Sequence, residues 1–356
     1  MKQLKRSSGN QSGFSSHRNT AMIFIIMLLL LAVVFVLDLF LGSVGLHPSE
    51  VLRALTGKSP GETEMIIMEF RLPKAFTALL VGMALSVSGL QMQTLFRNPL
   101  AGPYVLGVSS GASLGVAFVI LGFSSGMTMQ SLHGLGNWLI TAAAWAGAGI
   151  VLMLIMIVSA RVRNIMTILI LGIMLSGGIS AVVSIMQYFS NETMLKAYII
   201  WTMGSLGNLS APQLKILALS VTAGLILAFL SVRMMNVLLL GENYAGSMGL
   251  NTKVSRSLIF FTTSLLAGTV TAFCGPVGFI GIAVPHIVRN IFRTSDHSVL
   301  LPGTLLAGGI VMVLSDIVSQ LPGSDTILPI NSVTSLIGIP VVIWVIMRNR
   351  NHGSSF

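Results

Sequence analysis

A chain of 356 residues with 54% hydrophobic residues, 8% charged residues and a mean hydropathy of +0.89 has too little polar surface to cover a globule in water. That excludes a soluble domain and places the chain in a bilayer. Its formal charge of +10 then reads as membrane topology and attraction to anionic lipid, with no nucleic-acid partner implied.

A spanning helix needs about 20 mostly apolar residues. In chain order, ten such runs lie near 21–41, 73–95, 103–123, 138–158, 165–189, 214–234, 258–274, 277–292, 303–320 and 328–347. The eighth and ninth are short, and the polar stretch 190–213 has room for a surface helix. The expected fold class is all-α integral membrane, a ten-helix bundle, because a barrel needs alternating strands and these runs are continuous. Residues 1–20 read as an N-terminal tail, 21–350 as the membrane domain and 351–356 as a C-terminal tail. No A-x-A site follows the first run, so it reads as a retained helix and not as a signal peptide.

With the N-terminus in the cytoplasm, ten spans put fourteen of the twenty basic residues inside and leave Arg53, Lys58, Arg71, Lys74, Lys196 and Lys215 outside. Both termini are therefore expected in the cytoplasm.

Reactive chemistry is sparse. Cys274 is the only cysteine, which rules out an intrachain disulfide or thiolate cluster and suits a small buried residue. The six histidines lack metal-ligand spacing, so no metal site is expected. "LTGKS" at 55–59 ends like a phosphate-binding loop, but that motif needs glycine at position 52, which is leucine. The 21 methionines read as adaptable apolar filler. With no clustered nucleophile, acid or base, the chain does not read as an enzyme.

The informative features are interruptions. "LFRNPLAGPYVLGVSSGASLG" (95–115) and "GPVGFIGIAVPHIVRN" (275–290) put Pro and Gly inside apolar runs. Irregular backbone survives at membrane depth only where it is buried in protein or lines a cavity, so both segments mark candidate pathways. The two are also related by a constant offset of 186, which places Leu79 on Leu265, Leu80 on Leu266, Gly82 on Gly268, Gly89 on Gly275 and Pro99 on Pro285. Because the first copy follows one span and the second follows six, this match suggests an inverted repeat, although abundant Leu and Gly produce such matches by chance.

"RLPKAFTALLVGMALSVSGLQMQTLFRNPLAGPYVLGVSSGASLG", "GPVGFIGIAVPHIVRN", "LLPGTLLAGGIVMVLSDIV" and "LPINSVTSLIGIPVVIWVIMR" resemble the signatures of permease subunits of ABC importers for iron-siderophore complexes, heme and vitamin B12. "WTMGSL" (201–206) and "GENYAGSMGLN" (241–251) fit the same family, over residues 65 to 350. The resemblance implies ten-helix subunits with inverted-repeat pseudo-symmetry, working as a homodimer in a bacterial inner membrane. It also implies two cytosolic ATPases that carry ATP and Mg, an extracytoplasmic substrate-binding protein, and no cofactor bound permanently to this chain. Siderophore, heme and cobalamin are not distinguished.

Residue by residue, the resemblance puts Arg71 and Lys74 of "EFRLPK", with Gln320 where some relatives carry a base, at the binding-protein docking face. Ser109, Ser110, Gly111, Ser113, Pro285 and His286 fall along the translocation path. Glu242, Gly246, Gly249 and Arg256 fall in the loop that couples to the ATPase. Simpler readings stand beside these: small residues also serve helix packing, His286 suits a structural hydrogen bond, and interfacial bases snorkel toward headgroups. The rival class is an ion-gradient-driven secondary transporter. Such machines place acids in mid-membrane, whereas here only Asp38 and Asp316 lie within spans, toward their outer ends.

Overall fold

The computed structural model describes residues 11–42, 45–56, 61–122, 129–162, 164–320 and 327–350. The tail up to residue 10, the tail 351–356 and most of "LTGKS" lie outside the described residues. Among the described residues the chain is helical throughout, with no strand.

The elements in chain order are α1 (Gln11–Phe40), α2 (Pro48–Leu55), α3 (Glu62–Met65), a π-helical stretch (Ile66–Arg71), α4 (Leu72–Leu95), a 3₁₀ turn (Pro103–Leu106), α5 (Val108–Ile120), α6 (Met129–Arg161), α7 (Ile165–Tyr188) and α8 (Glu192–Thr202). They continue with α9 (Ala211–Leu230), α10 (Val232–Leu238), α11 (Glu242–Ser247), α12 (Thr252–Cys274), α13 (Ile280–Phe292), α14 (His297–Ser319) and α15 (Ile330–Arg350). Several starts are set by capping chemistry: Asn164, Asn191, Asn251 and Asp296 each accept a backbone N–H of the first turn.

Among the described residues, seven helices are long and apolar enough to cross a membrane: Asn19–Phe40, Glu62–Leu95, Asn137–Arg161, Ile165–Tyr188, Ala211–Leu230, Thr252–Cys274 and His297–Ser319. The other three apolar runs form the shorter helices Val108–Ile120, Ile280–Phe292 and Ile330–Val345. Three expectations change. The ninth run is a full-length helix starting at His297, because Asp296 caps it seven residues ahead of the apolar stretch. The run 214–234 breaks at Ser231, where α9 passes to α10. Arg71 and Lys74, placed by sequence at the mouth of a span, lie inside a continuous helix that starts at Glu62. Pro73 has no N–H and would crowd the preceding turn, and the wider π-helical turn just before it, closed by Leu72 N–H to Ile67 O, makes room for the ring. The polar stretch after α7 does hold a short helix, α8.

The centre of the bundle is α4, α12, α13 and α14, whose side chains are mostly buried. Two contacts need glycine. A Cβ on Gly89 would overlap the Gly281 carbonyl, so α13 lies directly on α4 backbone to backbone. In the same way Gly111 of α5 meets Gly147 of α6, where a Cβ would come 2.5 Å from the Gly147 carbonyl oxygen.

Contacts sort the helix ends. At one end, Phe24 of α1 stacks 4.8 Å from Phe292, Thr94 meets His297 at 2.7 Å, and Arg256 donates to Val162 O at 3.3 Å. This basic end carries Arg97, Arg161, Arg256, Arg289 and Arg293. At the opposite end, Phe35 of α1 meets Phe76 at 5.2 Å and Arg71 donates to Leu39 O at 2.8 Å.

Two series of five helices each place a short helix third. α1, α4, α5, α6 and α7 are followed by α9, α12, α13, α14 and α15, and the third member of each series has 13 residues. The offset of 186 is not the structural one. It pairs Gly89, inside α4, with Gly275, which ends α12 at a φ of +75°, whereas the helices themselves end at Leu95 and Cys274.

Candidate functional site

Three interruptions of the helical backbone meet in one place. Ser205 N–H donates to Cys274 O at 2.9 Å, Asn331 N–H to Met203 O at 3.2 Å, and Gly278 N–H to the Asn331 side-chain oxygen at 2.9 Å. Val277 N–H reaches the Tyr104 hydroxyl at 3.4 Å. The ends of α8 and α12, the start of α15 and the 3₁₀ turn thus satisfy one another's freed backbone groups, as irregular backbone in a membrane requires. Phe279, the residue before α13, has a φ of +65°, rare for an aromatic residue, and its Cβ packs against Gly338 of α15. Cavities of about 470 Å³ and 400 Å³ flank this junction. The first has a mostly apolar wall without formal charge, into which Asn137, Thr141, Asn208 and Gln213 bring polar groups.

The second cavity meets the charged end of α4 and α14. Lys74 Nζ lies 3.0 Å from Asp316 Oδ1. Gln320 donates through one nitrogen to Asp316 Oδ2 at 3.0 Å and to Asp38 Oδ1 at 3.2 Å. Arg71 donates to Leu39 O at 2.8 Å and Phe40 O at 3.2 Å, holding the last carbonyls of α1. Four ionisable groups from three helices are thereby tied together at one end.

At the basic end the pattern differs. Arg256, buried at the start of α12, forms an ion pair with Glu242 at the start of α11. Arg289 donates to Gln93 at 2.5 Å, His286 Nε2 donates to Pro99 O at 2.7 Å, and His297 bridges Thr94 and Asn236, each at 2.7 Å. Asp296, outside the apolar helices, is held below the ordinary carboxylate range by hydrogen bonds from the Ser298 side chain and backbone and from Asn236. Beyond this scaffold α11 projects, with Tyr244 and Met248 exposed and open space around Gly246.

The profile of the FecCD transport family matches residues 29–348. The chain belongs to the FecCD transport family. It is 35% identical over 325 residues to the vitamin B12 import system permease protein BtuC of Citrobacter koseri, covering 91% of this chain and 93% of that protein. It is 37% identical over 298 residues to BtuC of Escherichia coli, covering 82% and 88%. A solved metal-chelate type ABC transporter in an inward-facing conformation superposes with a TM-score of 0.79 at 30% identity, covering 92% of this chain and 99% of that one. The FecCD match includes 42–64, a stretch that the motifs alone left outside. There α2 docks Val51 and Ala54 on Ile67 to form a small separate core.

Against this FecCD frame the expected site residues separate into groups. Arg71, Lys74 and Gln320 are brought together, turned inward toward Asp38, Asp316 and the end of α1. Glu242 and Arg256 are also brought together, and their mutual pairing braces α11 against α12. Gly249 takes a φ of +85° after α11, a turn that favours glycine. Gly111 is buried in the α5–α6 contact, Ser109, Ser110 and Ser113 are half-buried, and the Ser113 carbonyl accepts from the Tyr198 hydroxyl at 3.5 Å. Pro285 is buried within α13. Sequence reasoning missed Asn331 and Phe279. The only signal was their placement, Asn331 just after Pro329 and Phe279 just after "GPVG".

Proposed function

We propose that this chain is the membrane subunit of an ATP-driven importer that moves a corrinoid or another metal chelate from a binding protein into the cytoplasm. In this reading all ten apolar helices serve as membrane segments. Two copies form the path, two ATPases attach at the basic end, which faces the cytoplasm together with both termini, and a bacterial inner membrane surrounds them. Family membership sets the class. The observation that carries the coupling step is α11, a short exposed helix at the basic end whose base is fixed by the Glu242–Arg256 pair. A gradient-driven carrier has no use for such a projection, whereas a partner that moves on hydrolysing ATP needs a rigid handle.

The acids favour the same side. Asp38 and Asp316 lie at the end opposite α11, beside Lys74 and Arg71, and not as bare groups in mid-membrane. The wide, mostly uncharged wall of the larger cavity suits a bulky chelate that must be admitted without tight retention. Ser109, Ser110, Ser113, Pro285 and His286 border the path in this reading, and Arg71, Lys74 and Gln320 form the docking face for the binding protein.

The test is uptake into vesicles containing the permease, its ATPase and its binding protein, with cyanocobalamin and a ferric hydroxamate as alternative cargoes. ATP inside the vesicle should drive accumulation of one of them, and Gly246→Trp should abolish it while leaving thermal stability unchanged. Uptake driven by a proton gradient without ATP would reject the proposal in favour of a secondary transporter.

A further inference from the structure

A cavity of about 340 Å³ lies at the basic end, among the ends of α4 and α10, the last turn of α13 and the start of α14. Two guanidinium groups line it, Arg97 and Arg289, and no acid does. Arg97 sits in the turn after α4 with a φ of +48°, a conformation uncommon outside glycine, and among the described residues its guanidinium has no hydrogen-bond or ion-pair partner. Arg289 is part-buried and donates at 2.5 Å to one neutral acceptor, the Gln93 side-chain oxygen. Gln93 is itself fixed, because its nitrogen donates to Ile282 O at 3.1 Å. Most donors and all of the charge on these two groups are therefore uncompensated, which is costly for a group drawn away from water. The neighbouring wall offers no relief, since Thr94 and His297 are bonded to each other. Two acids stand near the wall in sequence, and both are engaged elsewhere. Glu242 follows Gly241, which touches Arg97, but pairs with Arg256, and Asp296 bonds Asn236 and Ser298. With Arg256 balancing Glu242, and Asp296 set against Arg97 and Arg289, this region keeps an excess of positive charge.

We infer that this cavity is a binding site for a phosphate-type oxyanion, held between Arg97 and Arg289 with the Ser295 hydroxyl as a further donor. Guanidinium forks match the oxygens of such anions and form their strongest hydrogen bonds with them. The donors arrive from three segments: the turn after α4, the last turn of α13 and the residues before α14. That arrangement suits a tetrahedral group with three or four oxygens better than a planar carboxylate, which one fork satisfies. A free phosphate and a phospholipid headgroup share this chemistry. Either would tie α4, α13 and α14 together beside Gly241, where the chain enters α11.

The experiment uses the full-length chain alone in detergent, because an ATPase partner would bind phosphate itself. Calorimetric titration and melting temperature are followed against sodium phosphate at constant ionic strength, and a saturable response is expected. Arg97→Gln should raise the dissociation constant about tenfold or more, the scale of losing a charge-assisted hydrogen bond. Arg289→Gln should do the same. If that variant does not fold for want of its bond to Gln93, Arg97→Gln decides alone, since Arg97 is exposed and holds no other element. Lys253→Gln, an exposed base on α12 outside the cavity, should bind as the parent does. Dioctanoyl phosphatidylglycerol added to the same micelles separates the sources. Saturation by the lipid and not by phosphate, lost in Arg97→Gln, assigns a headgroup, whereas saturation by phosphate assigns a soluble ligand. No saturable response to either would overturn the proposal. An equal response to sodium acetate would also overturn it, by assigning a carboxylate, and an equal loss in Lys253→Gln would reduce the effect to general charge screening.

Discussion

α5 and α13 are both 13 residues long and third in their halves of the bundle, yet they are held by different chemistry. α5 is fixed by backbone proximity. Gly111 sits on Gly147, Gly115 sits on Ala143, and the one side-chain bond it receives, from Tyr198, ends on a main-chain carbonyl. α13 shares the glycine contact, Gly281 on Gly89, but adds side chains that bond outward, His286 to Pro99 and Arg289 to Gln93. A helix held by close approach alone can slide, whereas one pinned by directional side-chain bonds cannot. On this comparison α13 is the more firmly pinned helix and α5 the more adaptable one.

The largest expected effect tests the shared part of that comparison. Gly89→Ala places a methyl group onto the Gly281 backbone, which has no rotamer to yield, and should cost more than the ~1–3 kcal/mol usual for overpacking. Loss of a single symmetric peak in size exclusion is the expected result. Gly111→Ala meets the Gly147 carbonyl at 2.5 Å and the Val151 side chain at 2.6 Å, and should lower the melting temperature without abolishing assembly, because α5 can shift. Gly178→Ala, with open space around it, serves as the silent control.

Next in size is the directional part. His286→Leu strands the Pro99 carbonyl and should destabilise the protein by about 1–3 kcal/mol in denaturant unfolding, whereas Ser113→Ala keeps the main-chain acceptor for Tyr198 and should stay within about 0.5 kcal/mol. Equal costs would dissolve the distinction between the two helices.

A smaller effect sharpens it. In a Cys274→Ala background, cysteine at Ser109 or Ser110, both half-buried, should react with a polar maleimide at a rate that changes when ATP is added, while cysteine at Val288 of α13, fully buried, should not react in any state. Unreactive cysteines at both serines would make α5 as fixed as α13.

The smallest effect concerns Asp296, which starts α14 directly after α13. Its carboxyl is held below the ordinary value of 3.8, so it stabilises the folded protein above that pH and loses the contribution as pH falls through its folded value. Asp296→Asn keeps the helix cap and should flatten slightly the acid limb of a melting-temperature profile. The change is modest because the group is exposed to solvent.

Much of this architecture was legible in the sequence. Each of the ten apolar runs became helical, with 214–234 broken at Ser231, α8 appeared in the polar stretch left for it, and Cys274 is buried. The breaks around residues 95–107 and 275–279 were also readable, because Pro and Gly act on the chain locally. Arg71 and Lys74 were recognised as unusual bases, but their inward partners were not, and the register of the repeat was mistaken. Leu and Gly recur often enough to support several offsets, and only the helix ends select one.

What the sequence determined by itself was the solvent, the helical state and the places where helices stop, since hydropathy, capping and the missing N–H of proline depend on neighbours a few residues away. The tertiary structure alone decided which polar groups meet: Gln320 with Asp38 across 282 positions, Arg289 with Gln93 across 196, and Asn331 with Gly278 across 53. Such pairs depend on how helices cross and on which face turns inward. Those choices are made by glycine contacts and by the need to satisfy every buried donor at once, and they leave no periodic trace in the chain.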